Sequence, residues 1–562
     1  MRRGFGFANS LPRLSGLRIA PDRERQILAA VLIAVTAVFF AAMFAKALDR
    51  GFHRLISIHA SGPFVYSVVS IISDWKFGVG NYVMYRDAFE VADAAGLTFN
   101  GAILQRMGTS YPEYLKDADF IDRALAEAFA APAQPAPDEA HNPPYDGLSG
   151  LGWDKDAGYV DFVKLSFIGF GFKLSSLFYM YFALLFIGVC LFVIANYHSP
   201  AHLFVPMTVL ALLYAAVSST YFNGLQWDTV FNPRFMTTLG LIPFFHVASH
   251  VIDRAPLTPI RVAALAGQAG LIAFAMHIRT TTAWMVIAIV ALAIVLAVYL
   301  SWRRAGGTWK SVLRAVTPAG VVVGAVLAVL LYVGQTAHPS VAAKGFSMRH
   351  SVWTSVNYGL QNHPDWKARY AEAYDNQTAD GVWTKMFFDY LERHPVPEGT
   401  SVLTERGNPN HRLWDDYLRR AFLEFAAADP DYVAGLYFIH NPRLIYNSVR
   451  LIVGTMAREF PSWALSVLVV AMIAVTLHLA RSAAPLRQLA SATIVTALGL
   501  LISILPSWFV IVILSSLLDP LLLTALAIVL IAMLVAVAIL ASVYRWAVRR
   551  GLVIERYTSS VQ

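Results

Sequence analysis

Apolar runs of about 20 residues recur along this chain, separated by short basic turns and two long polar stretches. In helical form, a run of that length crosses the ~30 Å hydrocarbon core of a bilayer. The runs fall near 27–47, 174–196, 201–220, 233–252, 258–277, 281–301, 312–334, 461–480, 487–507 and 521–545. They predict an all-α, polytopic membrane protein of about ten transmembrane helices. The stretch 160–172 is apolar but short, and reads as a re-entrant or interfacial piece.

The polar stretches divide the chain further. Residues 1–26 form a basic N-terminal segment, and 27–47 the first span. A first insertion covers 48–160, and 161–334 returns to a transmembrane bundle. A second insertion covers 335–455, followed by the C-terminal spans in 456–547 and a basic tail at 548–562. In the first insertion, Leu115, Ala118, Ile121, Asp122 and Leu125 follow Pro112 and predict a short amphipathic helix. Residues 131–146 are rich in Pro and Ala and read as a linker. The second insertion reads as a small helical domain. After Asn408-Pro-Asn410, Trp414, Tyr417, Leu418, Ala421, Phe422 and Phe425 share one face, a stripe expected to be core. Asp429-Pro430 should end that helix, and a second should carry Tyr432, Leu436 and Phe438 as far as Pro442.

Composition agrees. Only 14% of the 562 residues are charged and mean hydropathy is +0.54, against roughly 25% charged in a soluble protein. The net charge of +8 does not indicate nucleic-acid binding, because the basic residues cluster at span ends. Arg254 and Arg261, Arg303 and Arg304, Arg481 and Arg487, and Arg545 to Arg556 mark successive turns on one side. By the positive-inside rule both termini are cytoplasmic and both insertions are extracytoplasmic. The single cysteine, Cys190, lies in an apolar run and reads as a structural thiol, so the insertions fold without internal disulfides.

Charge near a hydrocarbon boundary is costly, which singles out His277-Ile-Arg279-Thr-Thr-Thr282. A cation, an imidazole and hydroxyls in a short turn suit a phosphate; the alternative is an Arg279 that snorkels above capping threonines. Arg234 in Asn232-Pro-Arg234 is a second cation on that side, or an interfacial anchor. Arg349 and His350, with Lys344, form a third basic cluster, or a solvated loop. Asp74-Trp75-Lys76 and Tyr85-Arg86-Asp87 pair carboxylates with aromatic rings, as a general base beside a sugar requires. Surface ion pairing is the alternative for each. His363-Pro-Asp and His394-Pro lack metal-ligand spacing, and no Walker loop or dinucleotide fingerprint is present.

The layout and two of these stretches resemble the GT-C superfamily of polytopic membrane glycosyltransferases. His277-Ile-Arg279-Thr280 resembles the Arg-Pro-Thr-like turn found mid-chain there, and Tyr82-Val-Met-Tyr85-Arg86-Asp87-Ala88 resembles a Tyr-x-x-Ala-Ala stretch. Gly80-Asn81 stands where those families carry an aspartate. His277-Ile-Arg279 and Tyr358-Gly-Leu360 are also similar to stretches of a group of bacterial membrane proteins. The resemblance implies sugar transfer from a polyprenyl-phosphate donor to a glycan, lipid or protein acceptor at the outer face of a bacterial plasma membrane. Asp74 or Asp87 would be the base, and Arg279, His277 and Arg234 the phosphate holders. A divalent metal ion is compatible with that chemistry. A transporter or flippase of lipid-linked saccharides and a non-enzymatic assembly protein are the rival classes.

Overall fold

The computed structural model describes residues 21–55, 58–95, 97, 117–133, 157–218, 230–254, 256–279, 282–302, 309–338, 352–374, 379–396, 411–481 and 518–550. Every regular element among them is helical. In chain order these are α1 (Pro21–Asp49), α2 (Ile58–Phe77), α3 (Arg86–Ala94), α4 (Ala118–Ala130), α5 (Ala157–Phe170), α6 (Ser175–Asn196) and α7 (Pro200–Ser218). A 3-10 segment, Pro233–Gly240, runs into α8 (Leu241–Asp253). Then come α9 (Pro259–Ile278), α10 (Ala283–Trp302), α11 (Trp309–Thr336), α12 (Val352–Gly359), α13 (Trp366–Tyr374), α14 (Ala379–Arg393) and α15 (His411–Ala428). α16 (Pro430–Gly435), α17 (Asn441–Glu459), α18 (Ser462–Arg481) and α19 (Leu518–Arg549) complete the series.

Among the described residues, nine segments are long and apolar enough to cross a membrane: α1, α6, α7, Pro233–Asp253, α9, α10, α11, α18 and α19. Each coincides with an apolar run of the sequence; the run at 487–507 lies outside the described residues. Every residue of α7 is buried, which makes it the central helix of the bundle. α1 packs along it, and α6, α8, α18 and α19 also touch it. The outer helices turn aliphatic side chains outward, as lipid contact allows: Ile287 and Val295 on α10, Leu327 and Leu331 on α11, Ile539 on α19.

The first insertion is more integrated than its polar composition suggests. α2 contributes Phe64, Val65, Val68, Val69, Ile71 and Ile72 to the main core. Its serines had masked it as an apolar element. Two of them are satisfied locally: Ser67 and Ser73 donate to the carbonyls of Pro63 and Val69 at 2.8 and 2.9 Å. α4 is the predicted amphipathic helix, capped by Asp117, whose carboxylate accepts from the Asp119 and Phe120 N–H groups. Asp122 accepts from the Leu174 N–H at 2.8 Å, tying α4 to the start of α6, and burial pushes its carboxyl above the usual range. The Pro112 start and most of the 131–146 linker lie outside the described residues.

The second insertion holds two small cores of its own. Val356, Leu360, Trp366, Met386, Phe422, Tyr432 and Leu436 form one, and Phe387, Tyr390, Tyr417, Leu418 and Ala421 the other. The α15 stripe is therefore core where its side chains are described. Asp429 caps α16 through the Tyr432 N–H. Pro442 does not stop the chain there. A π turn, Leu436–His440, absorbs the register change, and α17 continues through Pro442 to Glu459. Phe438 lies on that turn, 74% exposed, outside the core.

Candidate functional site

Among the described residues a buried polar cluster forms between α5, the C-terminus of α9 and the turn that follows α2. α2 closes with Gly78 in the left-handed region, φ 63°; its N–H reaches the Asp74 carbonyl and the Val79 N–H reaches that of Ser73. This closure frees the chain to turn back across the helix end. Asn81 then pairs with Ala337, just beyond α11, through the His338 N–H and the Asn81 carbonyl at 3.3 Å. Tyr82 follows with φ 68°, a backbone state that side-chain-bearing residues adopt at a cost of order 1–3 kcal/mol.

What holds Tyr82 there is Asp161 on α5. The Tyr82 hydroxyl donates to Asp161 Oδ2 at 2.6 Å, and His277 Nε2 lies 2.7 Å from the same oxygen. Tyr82 is 1% exposed and Asp161 6%. Burial, and then the Asp161 charge, push the Tyr82 phenol far above its ordinary range, so it stays a donor at any working pH. The pairing places an imidazole N–H on the carboxylate and leaves Nδ1 as the ring's other nitrogen.

Gly158 makes this approach possible. A Cβ there would lie 2.3–2.4 Å from the His277 carbonyl and the Ile278 nitrogen, so the α5 backbone rests directly on the C-terminus of α9. Asp161 is three residues on and faces the same helix. Lys164, one further turn along, donates to Asp74 Oδ2 at 2.6 Å and Asn81 Oδ1 at 3.0 Å, and lies 5.4 Å from the Trp75 ring centre. α5 thus carries a carboxylate and an ammonium on one face, each matched by a partner from a different element.

The expected residues are distributed around this centre. His277 is in it. Asp74 is on its rim, held by Lys164. Asp87 lies in the first turn of α3 and accepts from the Tyr85 hydroxyl at 2.9 Å. Arg279 caps α9 in extended conformation, half-buried, next to the cluster. Arg234 is half-buried at the start of the 3-10 segment, where Asn232 accepts from its N–H. Tyr159 on α5 donates to the Val230 carbonyl at 3.1 Å, which brings that segment to the same end of the bundle. Arg349 and His350 lie outside the described residues. His363 is a turn former, accepting from the Asp365 N–H at 3.1 Å.

Asp161 and Lys164 were not singled out from sequence, and Tyr82 was named only as the start of the Tyr82–Ala88 stretch, with no role at the site. Asp161 and Lys164 are the only charges in the run 157–170, three residues apart, and that spacing was the available signal. Among the described residues no three His, Cys, Asp or Glu side chains converge on a point that could hold a metal ion. Compared with known proteins, the chain matches no family model, no curated protein and no solved structure.

Proposed function

We propose that this protein is a membrane glycosyltransferase that moves a sugar from a polyprenyl-phosphate donor to a glycan, lipid or protein acceptor on the extracytoplasmic side of a bacterial plasma membrane. The observation that carries the reading is the buried carboxylate Asp161 gripping both Tyr82 and His277 at the membrane-bundle end that also holds Arg279 and Arg234. Asp161 orients the imidazole, and His277 Nδ1 is the general base. The acceptor oxygen attacks the anomeric carbon and its proton passes to Nδ1. The bond from that carbon to the phosphate oxygen breaks, and polyprenyl phosphate leaves with the electron pair. Arg279 and Arg234 stabilise the departing phosphate. The base role expected of Asp74 or Asp87 moves to the Asp161–His277 pair, because Asp74 is engaged by Lys164 and Asp87 by Tyr85.

The test is transfer of radiolabelled sugar from a synthetic polyprenyl-phosphate donor in membranes carrying equal amounts of each variant. Asp161→Asn and His277→Gln should lower transfer by roughly 100-fold or more. Wild-type transfer by both would reject the assignment. A transporter of lipid-linked saccharides is the second reading. It is favoured by His246, fully buried against Phe192 and His250, with neither ring nitrogen hydrogen-bonded among the described residues.

A further inference from the structure

α17 has two faces of different character. Ser448, Val449, Ile452, Thr455 and Met456 are buried, and the helix packs on α19 and α7 of the bundle. The opposite face is a stripe of arginines, Arg443, Arg450 and Arg458, all exposed, flanked by Tyr446 and Leu451 at 65% and 56% exposure. None of the three forms an ion pair among the described residues, and Glu459 is the only acid in the helix. Three residues after α17 ends, α18 enters the membrane. The stripe therefore lies close to the start of a candidate span, on a helix whose other face packs against the bundle.

Its centre is a shallow, open depression on one helix face. Asn447, Arg450, Leu451, Gly454 and Arg458 line a hollow of about 290 Å³. Gly454 opens it. Nothing lies within 4 Å of where its Cβ would be, so packing does not demand glycine, yet any side chain would fill the gap between Arg450 and Arg458. Arg458 Nε donates to the Gly454 carbonyl at 3.3 Å and is drawn back over the gap. Two guanidinium groups and an amide around a small hollow match a phosphate, and exposed Tyr446 and Leu451 beside them match acyl chains.

We propose that this face of α17 docks on anionic phospholipid headgroups of the surrounding leaflet, with one phosphate seated over Gly454 between Arg450 and Arg458. Charge complementarity and continuity with α18 argue for lipid over a soluble partner. The inference does not depend on the glycosyltransferase reading. Each arginine near an anionic surface multiplies affinity roughly fivefold, so the three together are worth about 100-fold.

The experiment uses the full chain with Cys190→Ser and Leu451→Cys, labelled with a polarity-sensitive fluorophore and placed in nanodiscs. Discs of phosphatidylcholine alone are compared with discs containing phosphatidylglycerol. The expected result is a blue shift in the anionic discs, reversed by high salt. It should be lost in R443Q/R450Q/R458Q and kept in R443K/R450K/R458K, with the melting temperature of each variant recorded. Gly454→Leu should weaken the response while leaving the charge intact. Identical spectra in both disc types would overturn the proposal, as would a full response from the glutamine variant. A shift produced by inorganic phosphate in neutral discs would also overturn it, by making the hollow a soluble-anion site.

Discussion

Gly158→Ala probes the contact on which the site depends. The added methyl would meet the His277 carbonyl carbon at 2.3 Å, where ordinary contacts begin near 3.4 Å, so α5 and α9 must part by about 1.1 Å. The obstruction is backbone and cannot swing aside. A separation of that size would stretch the 2.7 Å Asp161–His277 bond to about 3.8 Å, beyond hydrogen-bonding range. Overpacking costs about 1–3 kcal/mol and loss of a hydrogen bond to a charged partner about 1.5–3 kcal/mol. The better helix propensity of alanine returns at most about 1 kcal/mol. The net expectation is a loss of about 2–5 kcal/mol. Gly169→Ala is the control in the same helix. Its Cβ would meet only the flexible Met180 terminus at 3.3 Å, so it should be neutral or slightly stabilising. The assay is thermal unfolding of both variants purified in the same detergent, alongside sugar transfer. A Gly158→Ala protein that melts with the wild type would refute the close α5–α9 packing and the site geometry with it.

Further predictions concern other parts of the fold. Asp161→Leu should strand two buried donors, Tyr82 and His277, and cost about 2–6 kcal/mol in thermal unfolding, whereas Asp161→Asn should cost clearly less. Lys164→Met should leave Asp74 without its cation and lower the melting temperature; adding Asp74→Asn should restore much of the loss, a coupling that a double-mutant cycle would reveal. Leu418→Asp, at a position 0% exposed, should destabilise the helical insertion by about 2–5 kcal/mol and expose it to limited proteolysis. The Tyr370 hydrogen bond holds the Asp429 carboxyl below its ordinary range, so this cap supports the insertion above about pH 4 and its support is lost as pH falls through the folded-state value; Asp429→Ala should flatten that acid dependence. A cytoplasm-only reporter fused after residue 555 should be active, and the same reporter after 140 or 400 silent; activity at either of those would reverse the proposed orientation.

The spans were legible because an uninterrupted apolar run has one stable arrangement in a bilayer, and α1, α6 and α9 to α11 follow their runs closely. α2 was hidden because Ser67, Ser70 and Ser73 lower its hydropathy, although Ser67 and Ser73 spend their hydroxyls on the helix's own carbonyls. His277 and Asp74 were visible as charges in costly places. Their partners were not, because Asp161 is 116 residues from His277 and Lys164 is 90 from Asp74. Packing of α5 on α2 and, through the Gly158 contact, on α9 brings those segments together, and such contacts between distant helices have no periodic signature. Pro442 misled for a related reason: a π turn before it can carry a helix past a proline that local rules read as a stop.

Bond cleavage at the Asp161 cluster is what separates the proposed sugar transfer from transport, and the fate of the donor reports it directly. The protein is reconstituted in nanodiscs with a polyprenyl-phosphate sugar and a glycan acceptor, and the lipid is analysed by mass spectrometry over time. The account predicts release of free polyprenyl phosphate in step with glycosylated acceptor, and loss of both with Asp161→Asn while the donor stays bound. Donor that remains intact with wild-type protein, across the acceptors offered and in a preparation that binds it, would contradict the account and favour transport.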